Sequence, residues 1–188
     1  MHNRRQSARF RLRDGTADCH ERVDALFSAA DLGSRGGYEQ FLLAQAAAFL
    51  PAEKALDRAG IATLLPDWPE RRRSHLLVAD LAELGLPVPD GEILPVVSGI
   101  PALLGWVYVL EGSRLGGNIL RRAVAAGLPV AFLSDSYPKA WPTLVAMLDE
   151  QLTDPSAIDQ AIMAAQALFA VFERSGQHLN VRRITDVA

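Results

Sequence analysis

The fold of this chain is decided by Tyr108-Val-Leu-Glu-Gly-Ser-Arg-Leu-Gly-Gly-Asn118, which holds three glycines within six positions between apolar residues of helical spacing. Each glycine inside a helix costs roughly 0.5–1 kcal/mol relative to alanine. Three cost about 2–3 kcal/mol, a sizeable part of the ~5–15 kcal/mol stability of a typical domain. A helix that carries this cost needs bare backbone on one face. We therefore expect something flat, large or closely packed to lie against it.

The glycine-rich helix presents one stripe of small and apolar residues when it is drawn at 100° per residue. The stripe consists of Gly105, Tyr108, Val109, Gly112, Gly116 and Ile119. Small residues at this spacing allow close helix–helix packing, whereas a bare backbone also suits a ligand, and both interpretations stay open here. The motif is not a phosphate-binding GxGxxG, because no strand precedes it and its spacing differs.

Composition and charge narrow the class of protein. Of the 188 residues, 49% are hydrophobic and the formal charge is −3, which disfavours disorder and gives no nucleic-acid signal. Cys19 is the only cysteine, so the chain forms no internal disulfide and has no CxxC metal site. Prolines interrupt the uncharged stretch 93–110, which favours a buried core helix over a membrane helix. With no apolar signal region, we expect a cytoplasmic protein without nucleic-acid or membrane partners.

Helical spacing dominates the rest of the sequence and predicts one all-α domain over residues 1–188, with probable flexible tails at 1–12 (basic) and 180–188. The predicted helices cover a region around residues 23–30, then 38–59, 70–84, about 98–126, a segment from 135 or 136 to 152, and a last helix opened by 154–155. Residues 128–133 are a weak strand candidate. His75 is placed on a charged, exposed helix face after Arg71-Arg72-Arg73.

A histidine on the first predicted helix supplies a second clue. Arg13, Thr16, His20 and Phe27 share one stripe, so His20 faces inward with Phe27. A single histidine on an apolar face is most often a hydrogen-bonded core residue. Neutral imidazole is also a standard axial ligand of haem iron, and Arg13 on the same face suits a haem propionate.

Two segments together, Thr16-Ala-Asp-Cys-His20-Glu-Arg-Val-Asp24 and Tyr108-Val-Leu-Glu-Gly-Ser-Arg-Leu-Gly-Gly-Asn118, resemble the haem oxygenase family. They look most like its bacterial branch, whose members often accompany bacteriophytochromes. The resemblance implies a single-domain helical bundle that holds haem between a proximal helix and a kinked distal helix. It implies that His20 is the proximal iron ligand.

The resemblance also implies the other site residues. Gly112, Ser113 and Gly116 are the expected catalytic positions, with Ser113 standing where animal members carry an aspartate that orders water. The expected haem contacts are Arg13, Thr16, His20, Tyr108, Gly112, Gly116, Gly117 and Phe169. Arg174 is considered as a further propionate partner.

The implied reaction is oxidative opening of haem, which is both substrate and cofactor, to biliverdin, CO and ferrous iron. O₂ binds opposite His20, and electrons come from a separate ferredoxin or reductase, because nothing in the sequence binds NAD or flavin. Exposed arginines such as Arg121 and Arg122 suit an acidic donor, although a solvated helix face is the simpler explanation. A bacteriophytochrome is the expected acceptor of biliverdin.

Three alternatives remain open from the sequence. A haem carrier or sensor would show the same histidine and glycines without turnover. A thiaminase-like relative would need a nucleophilic cysteine, for which Cys19 is the candidate. A structural interaction domain would use the glycines against a partner helix. The absence of a Glu-x-x-His motif disfavours a helical di-iron oxygenase.

Overall fold

The computed structural model describes residues 7–185, with side chains through residue 177. Within this range all regular structure is helical, which confirms the predicted all-α fold. The helices are α1 (Ala8–Ser28), α2 (Arg35–Arg58), α3 (Trp68–Arg71), α4 (Ser74–Glu83), α5 (Ile100–Leu120), α6 (Ala131–Ser134), α7 (Ala140–Gln151) and α8 (Pro155–Thr185). Short 3₁₀ turns, Ile61–Thr63 and Arg121–Ala123, follow α2 and α5.

Helix α8 is the central helix and packs against α1, α2 and α5. Its inner face is fully buried at Ala161, Ala165 and Leu168. Gly105 permits the approach of α5, because a Cβ there would overlap the carbonyl oxygen of Ala161. Close helix packing therefore explains one glycine of the predicted stripe.

Two apolar segments bear on the membrane prediction. By length and composition alone, Pro155–Gln177 is apolar enough to cross a membrane, yet it is the helix around which the bundle packs. The stretch 93–110 is only partly the core helix that we expected. Its first residues form an exposed connector in which Ile93 is 86% and Val96 is 96% exposed, and the helix starts after Gly99, which has a φ of +80°.

The flexible N-terminal tail predicted over residues 1–12 is too long. Helix α1 begins at Ala8, and Ala8 and Leu12 are buried in the core, so residues 8–12 are part of the folded domain. The tail residues Arg4 and Arg5 lie outside the described residues. At the other end, α8 extends to Thr185, and residues 186–188 lie outside the described range.

The single helix predicted over 70–84 is divided into α3 and α4. The cause is a carboxylate from another helix: Glu53 of α2 accepts hydrogen bonds from the backbone N–H groups of Arg73 (2.7 Å) and Ser74 (2.9 Å). A carboxylate at this position caps the start of α4. Such a cap depends on tertiary contact, so the local sequence did not indicate it.

The region after α5 also differs from the prediction. Helix α5 ends at Leu120 rather than near residue 126, and the weak strand candidate at 128–133 instead ends in the short helix α6. Asp80 of α4 caps α6 by accepting from the N–H groups of Ala131 (3.0 Å) and Phe132 (2.9 Å). Asp135, expected to cap the next helix, pairs with Arg114 instead, and α7 starts only at Ala140.

The contact between α5 and α8 gives a stability prediction. Gly105→Ala is expected to destabilise the protein by about 1–3 kcal/mol, because overpacking forces the two backbones apart. Chemical denaturation measures the change in the free energy of unfolding. Gly36→Ala in α2 is the matched control, since a Cβ there meets no described atom within 4 Å and alanine favours the helix. Equal stability of the Gly105→Ala variant and the wild type would contradict the proposed packing.

Candidate functional site

A cavity of about 850 Å³ lies between α1 and α5. This volume falls within the roughly 300–1,000 Å³ that is usual for small-molecule sites. The cavity brings together all but one of the predicted site residues: Arg13, Thr16, His20, Tyr108, Gly112, Ser113, Gly116 and Phe169. Its wall includes Leu115 and Ile119, whose exposed fractions are 54% and 70%. The site is therefore an open, largely apolar cleft.

On the α1 side, His20 is held by two contacts. Its Nδ1 lies 2.9 Å from Oδ2 of Asp24, one helical turn further along, and its ring stands edge-on to Phe169 with centroids 6.0 Å apart. A carboxylate beside Nδ1 fixes the orientation of an imidazole ring. His20 is thus an oriented and largely exposed imidazole on the cavity wall.

On the α5 side, the backbone is bare at Gly112 and Gly116. A Cβ at either position would meet no described protein atom within 4 Å, so neither glycine is needed for packing within the bundle. Both residues line the cavity. The two interpretations of the stripe therefore apply to different residues: Gly105 allows helix packing, and Gly112 and Gly116 face open space.

Gly117 is the predicted site residue that the cavity does not include. It is buried, and a Cβ there would lie 3.1 Å from the carbonyl oxygen of Leu133. The expectation that Gly117 contacts haem came from the resemblance, although this residue lies off the helical stripe. The structure places Gly117 at the packing contact between α5 and α6.

Known proteins resemble the chain in sequence and in fold. A heme oxygenase of Xanthomonas campestris is 38% identical over 112 residues, which span 56% of this chain and 67% of that protein. The chain belongs to the haem oxygenase family. Heme oxygenase PigA of Pseudomonas aeruginosa is 29% identical over 176 residues, 87% of each chain. A crystal structure of the NO- and CO-bound heme oxygenase from Neisseria meningitidis has the same fold, with a TM-score of 0.80 at 24% identity over 93% of this chain and 92% of that one. No protein-family model matches the sequence.

In this haem oxygenase, Ser113 is held from behind by a buried arginine. Arg73 Nη2 donates to Ser113 Oγ at 2.6 Å and to the carbonyl oxygen of Leu110 at 2.7 Å. Ser113 Oγ itself donates to the same Leu110 oxygen at 2.7 Å. The Arg73 guanidinium lies 4.8 Å from the ring centroid of Phe49 and 4.9 Å from that of Phe132. Burial, followed by the charge of Arg114, lowers its pKa to about 9.

The sequence did not indicate this arginine. His75 is exposed as expected, but Arg71 and Arg73 on either side of exposed Arg72 are almost fully buried. A weak signal was available, because three consecutive residues cannot share one face of a helix. The break between α3 and α4 decides which of the three turn inward.

At the rim of the cleft, Arg13 is the one cation among the described lining residues, and it pairs with Asp14 at 3.0 Å. Burial raises the pKa of the nearby Tyr108 phenol, so that the phenol stays protonated at neutral pH. Arg174 does not line the cavity; it donates to the carbonyl oxygen of Ile93 at 2.9 Å and lies 3.4 Å from Glu92.

The Cys19 alternative does not match the cleft. Cys19 is partly buried and is not among the described residues that line the cavity. Its sulfur lies 3.5 Å from an Arg22 nitrogen on the same helix. A nucleophile would have to face the substrate space, so the site geometry favours chemistry at His20 and the glycine backbone.

The buried arginine gives the second prediction. Arg73→Met is expected to leave the free energy of unfolding unchanged or to raise it. The lowered pKa means that the folded protein disfavours the charged guanidinium at any pH below about 9. In the variant, the carbonyl oxygen of Leu110 still accepts a hydrogen bond from the Ser113 hydroxyl. Urea denaturation measures the change in the free energy of unfolding. Arg72→Met is the control: it removes an exposed ion pair to Asp57 (3.5 Å) and is expected to cost about 0–1 kcal/mol. A clear loss of stability in Arg73→Met would show that Arg73 is retained for folding.

Proposed function

We propose that this protein is an O₂- and electron-dependent haem oxygenase that converts haem to biliverdin, CO and ferrous iron. One observation carries the proposal: a cavity in a haem oxygenase fold has a carboxylate-oriented imidazole on one wall and two glycines with open space on the other. The cleft is large and apolar enough for a flat macrocycle. Haem, when bound, supplies the iron at which O₂ is activated.

His20 is the proposed iron ligand. Asp24 accepts from Nδ1–H, which fixes the ring orientation and makes Nε2 the ligating nitrogen. Phe169, packed edge-on to the His20 ring, limits the rotation of that ring.

Gly112 and Gly116 provide the open distal side. Without Cβ atoms, the α5 backbone at these positions would leave room for haem to lie close to it, and neither position carries a side chain able to ligate iron. Bound haem would thus have a free coordination position for O₂ on this side. A backbone so close to the ligand would also limit the directions in which O₂ could tilt, which would favour attack at one meso carbon.

Ser113 is the proposed contact for an ordered water. Its hydroxyl proton is directed to Leu110, and one of its lone pairs accepts from Arg73. The remaining lone pair accepts from a water in the cleft, so Ser113 orients that water rather than delivering a proton itself. Arg73 keeps the hydroxyl in this orientation from outside the cavity.

The rim residues are proposed to bind the propionates. Arg13 supplies positive charge and the neutral Tyr108 phenol supplies a donor, while Thr16 is buried beneath them. Because Arg13 is exposed and already pairs with Asp14, a propionate replaces an existing surface ion pair. Its contribution to affinity is therefore modest.

Electrons are proposed to come from a ferredoxin or reductase, and biliverdin is proposed to pass to a bacteriophytochrome. The exposed Arg121 and Arg122 follow α5 directly beside the cavity residue Ile119, which places positive charge near the cleft for an acidic donor. The acceptor is inferred from the resemblance to the bacterial branch alone. A cytoplasmic location fits both partners.

The ligand assignment predicts a spectroscopic result. Haemin added to the purified protein is expected to give a Soret band, and His20→Ala is expected to weaken or shift it, with recovery on adding imidazole. His75→Ala is the matched control, because His75 is exposed and does not line the cleft. Normal binding and an unaltered spectrum in the His20→Ala protein without imidazole would refute the assignment.

Turnover distinguishes the enzyme from a haem carrier. The haem complex supplied with O₂ and either ascorbate or reduced ferredoxin is expected to lose its Soret band and gain biliverdin absorbance, with one CO released per haem. Ser113→Ala is expected to slow this conversion by roughly 10²–10⁴-fold if proton transfer depends on the ordered water. Tight haem binding with no biliverdin from the wild type would favour the carrier or sensor.

A further inference from the structure

Behind the glycine segment of α5 lies a buried ionic network that the proposed mechanism does not use. Glu111, whose side chain is 4% exposed, accepts from Arg71 Nη1 at 3.3 Å and from Arg114 Nε at 3.0 Å. The side chains of Arg71 and Arg114 are 0% and 6% exposed. Asp135 also pairs with Arg114. We name these four residues the α5 anchor.

The α5 anchor connects α5 to α3 and to the start of α7. Arg71, at the end of α3, also donates to the carbonyl oxygen of Ala140 at the start of α7 (3.0 Å) and to Asp67 (2.8 Å). Arg114 donates to the backbone oxygen of Arg71. Two guanidinium groups, each with several fixed donor directions, thus hold α3, α5 and the start of α7 at fixed positions relative to one another.

The position of the anchor along the chain links it to the cleft. Glu111 immediately precedes Gly112, and Arg114 immediately follows Ser113. On the cavity side the glycine backbone has no described neighbour that would hold it in place, since a Cβ at Gly112 or Gly116 would meet nothing within 4 Å. The described polar contacts that hold this part of the backbone therefore come from the opposite face of the helix.

Stability alone does not account for these charges. Buried ion networks can often be replaced by apolar residues of similar volume without loss of stability. Directional hydrogen bonds between charged groups define one arrangement of the helices, whereas apolar packing tolerates several. A small displacement of a positioning element has large effects on reaction geometry. The anchor is suited to hold the glycine segment at one distance and angle from the ligand.

We infer that Glu111 and Arg114 are positioning residues that determine which meso carbon of haem is attacked, by fixing the Gly112–Ser113 backbone over the ligand. This inference rests on the proposed function. The two residues do not touch the substrate; they act through the backbone that limits the tilt of O₂. A looser α5 allows O₂ to tilt in more than one direction, so that more than one biliverdin isomer forms.

The first measurement uses the haem-free protein and needs no turnover. Glu111→Gln keeps the shape of the side chain and removes its charge. Amide hydrogen exchange over residues 111–118 is expected to become roughly tenfold faster or more, because the helix loses the equivalent of one charged hydrogen bond. Exchange in the buried part of α8 is expected to stay as in the wild type. Glu39→Gln, in the exposed Arg35–Glu39 pair (2.7 Å), is the matched control and should leave both regions unchanged.

The second measurement is the isomer composition of biliverdin, separated chromatographically. The wild type and Glu39→Gln are expected to give one dominant isomer, and Glu111→Gln a mixture. The apolar triple variant Arg71→Met, Glu111→Leu and Arg114→Met keeps side-chain volume without buried charge, and it should fold and also give a mixture. It supplies the test if Glu111→Gln does not fold.

The outcomes separate the inference from the proposed function. A wild type that makes no biliverdin refutes the proposed function and with it the inferred selectivity, whereas local exchange still reports on how α5 is held. Biliverdin of unchanged isomer composition from a folded anchor variant overturns the inference and leaves the proposed function intact. A variant that loses global stability but keeps slow exchange over residues 111–118 also overturns it.

Discussion

The approach of α5 to α8 at Gly105 fixes the start of the helix that forms one wall of the cleft. Because only hydrogen fits between that α-carbon and the Ala161 carbonyl oxygen, the two helices meet backbone to backbone at this point. Gly112 and Gly116 lie two and three turns further along the same helix. At these positions α5 faces the cleft and no longer packs against α8. One helix thus uses glycine for two purposes: close packing at its start, and space for a ligand further along.

Charge is distributed unevenly across this helix. The cavity side of α5 carries glycines, apolar residues and the hydroxyls of Tyr108 and Ser113. The opposite side carries Glu111 and Arg114, and the preceding segment adds the buried Arg71 and Arg73. Buried charges cost desolvation energy, and the fold balances them by pairing most of them behind the helix. A low-polarity cleft backed by an ordered polar layer is a suitable environment for a macrocycle with one reactive metal centre.

Sequence reasoning identified the parts of the site that depend on residue type and helical spacing. Gly112, Gly116 and His20 could be singled out because costly glycines and a histidine on an apolar helical stripe are visible without tertiary information, and the cleft brings them together. The histidine was expected to face inward, but its side chain is 60% exposed on the cavity wall. Arg73 and Glu53 could not be predicted, since their burial follows from a helix break imposed by a carboxylate of α2. The same limit explains why residues 128–133 remained a weak strand candidate: Asp80, some fifty residues earlier, supplies the cap of α6.

The exposed apolar wall of the cleft links ligand binding to folding. Leu115 and Ile119 remain largely open to water, although residues of their type on a core-facing helix are normally covered. A flat ligand that fills the cleft removes this surface from water and binds only the folded chain, so ligand concentration raises the apparent stability of the protein. The empty protein presents the same surface to other hydrophobic molecules, including copies of itself. The concentration of the ligand thus sets both the occupancy of the cleft and the apparent stability of the folded chain.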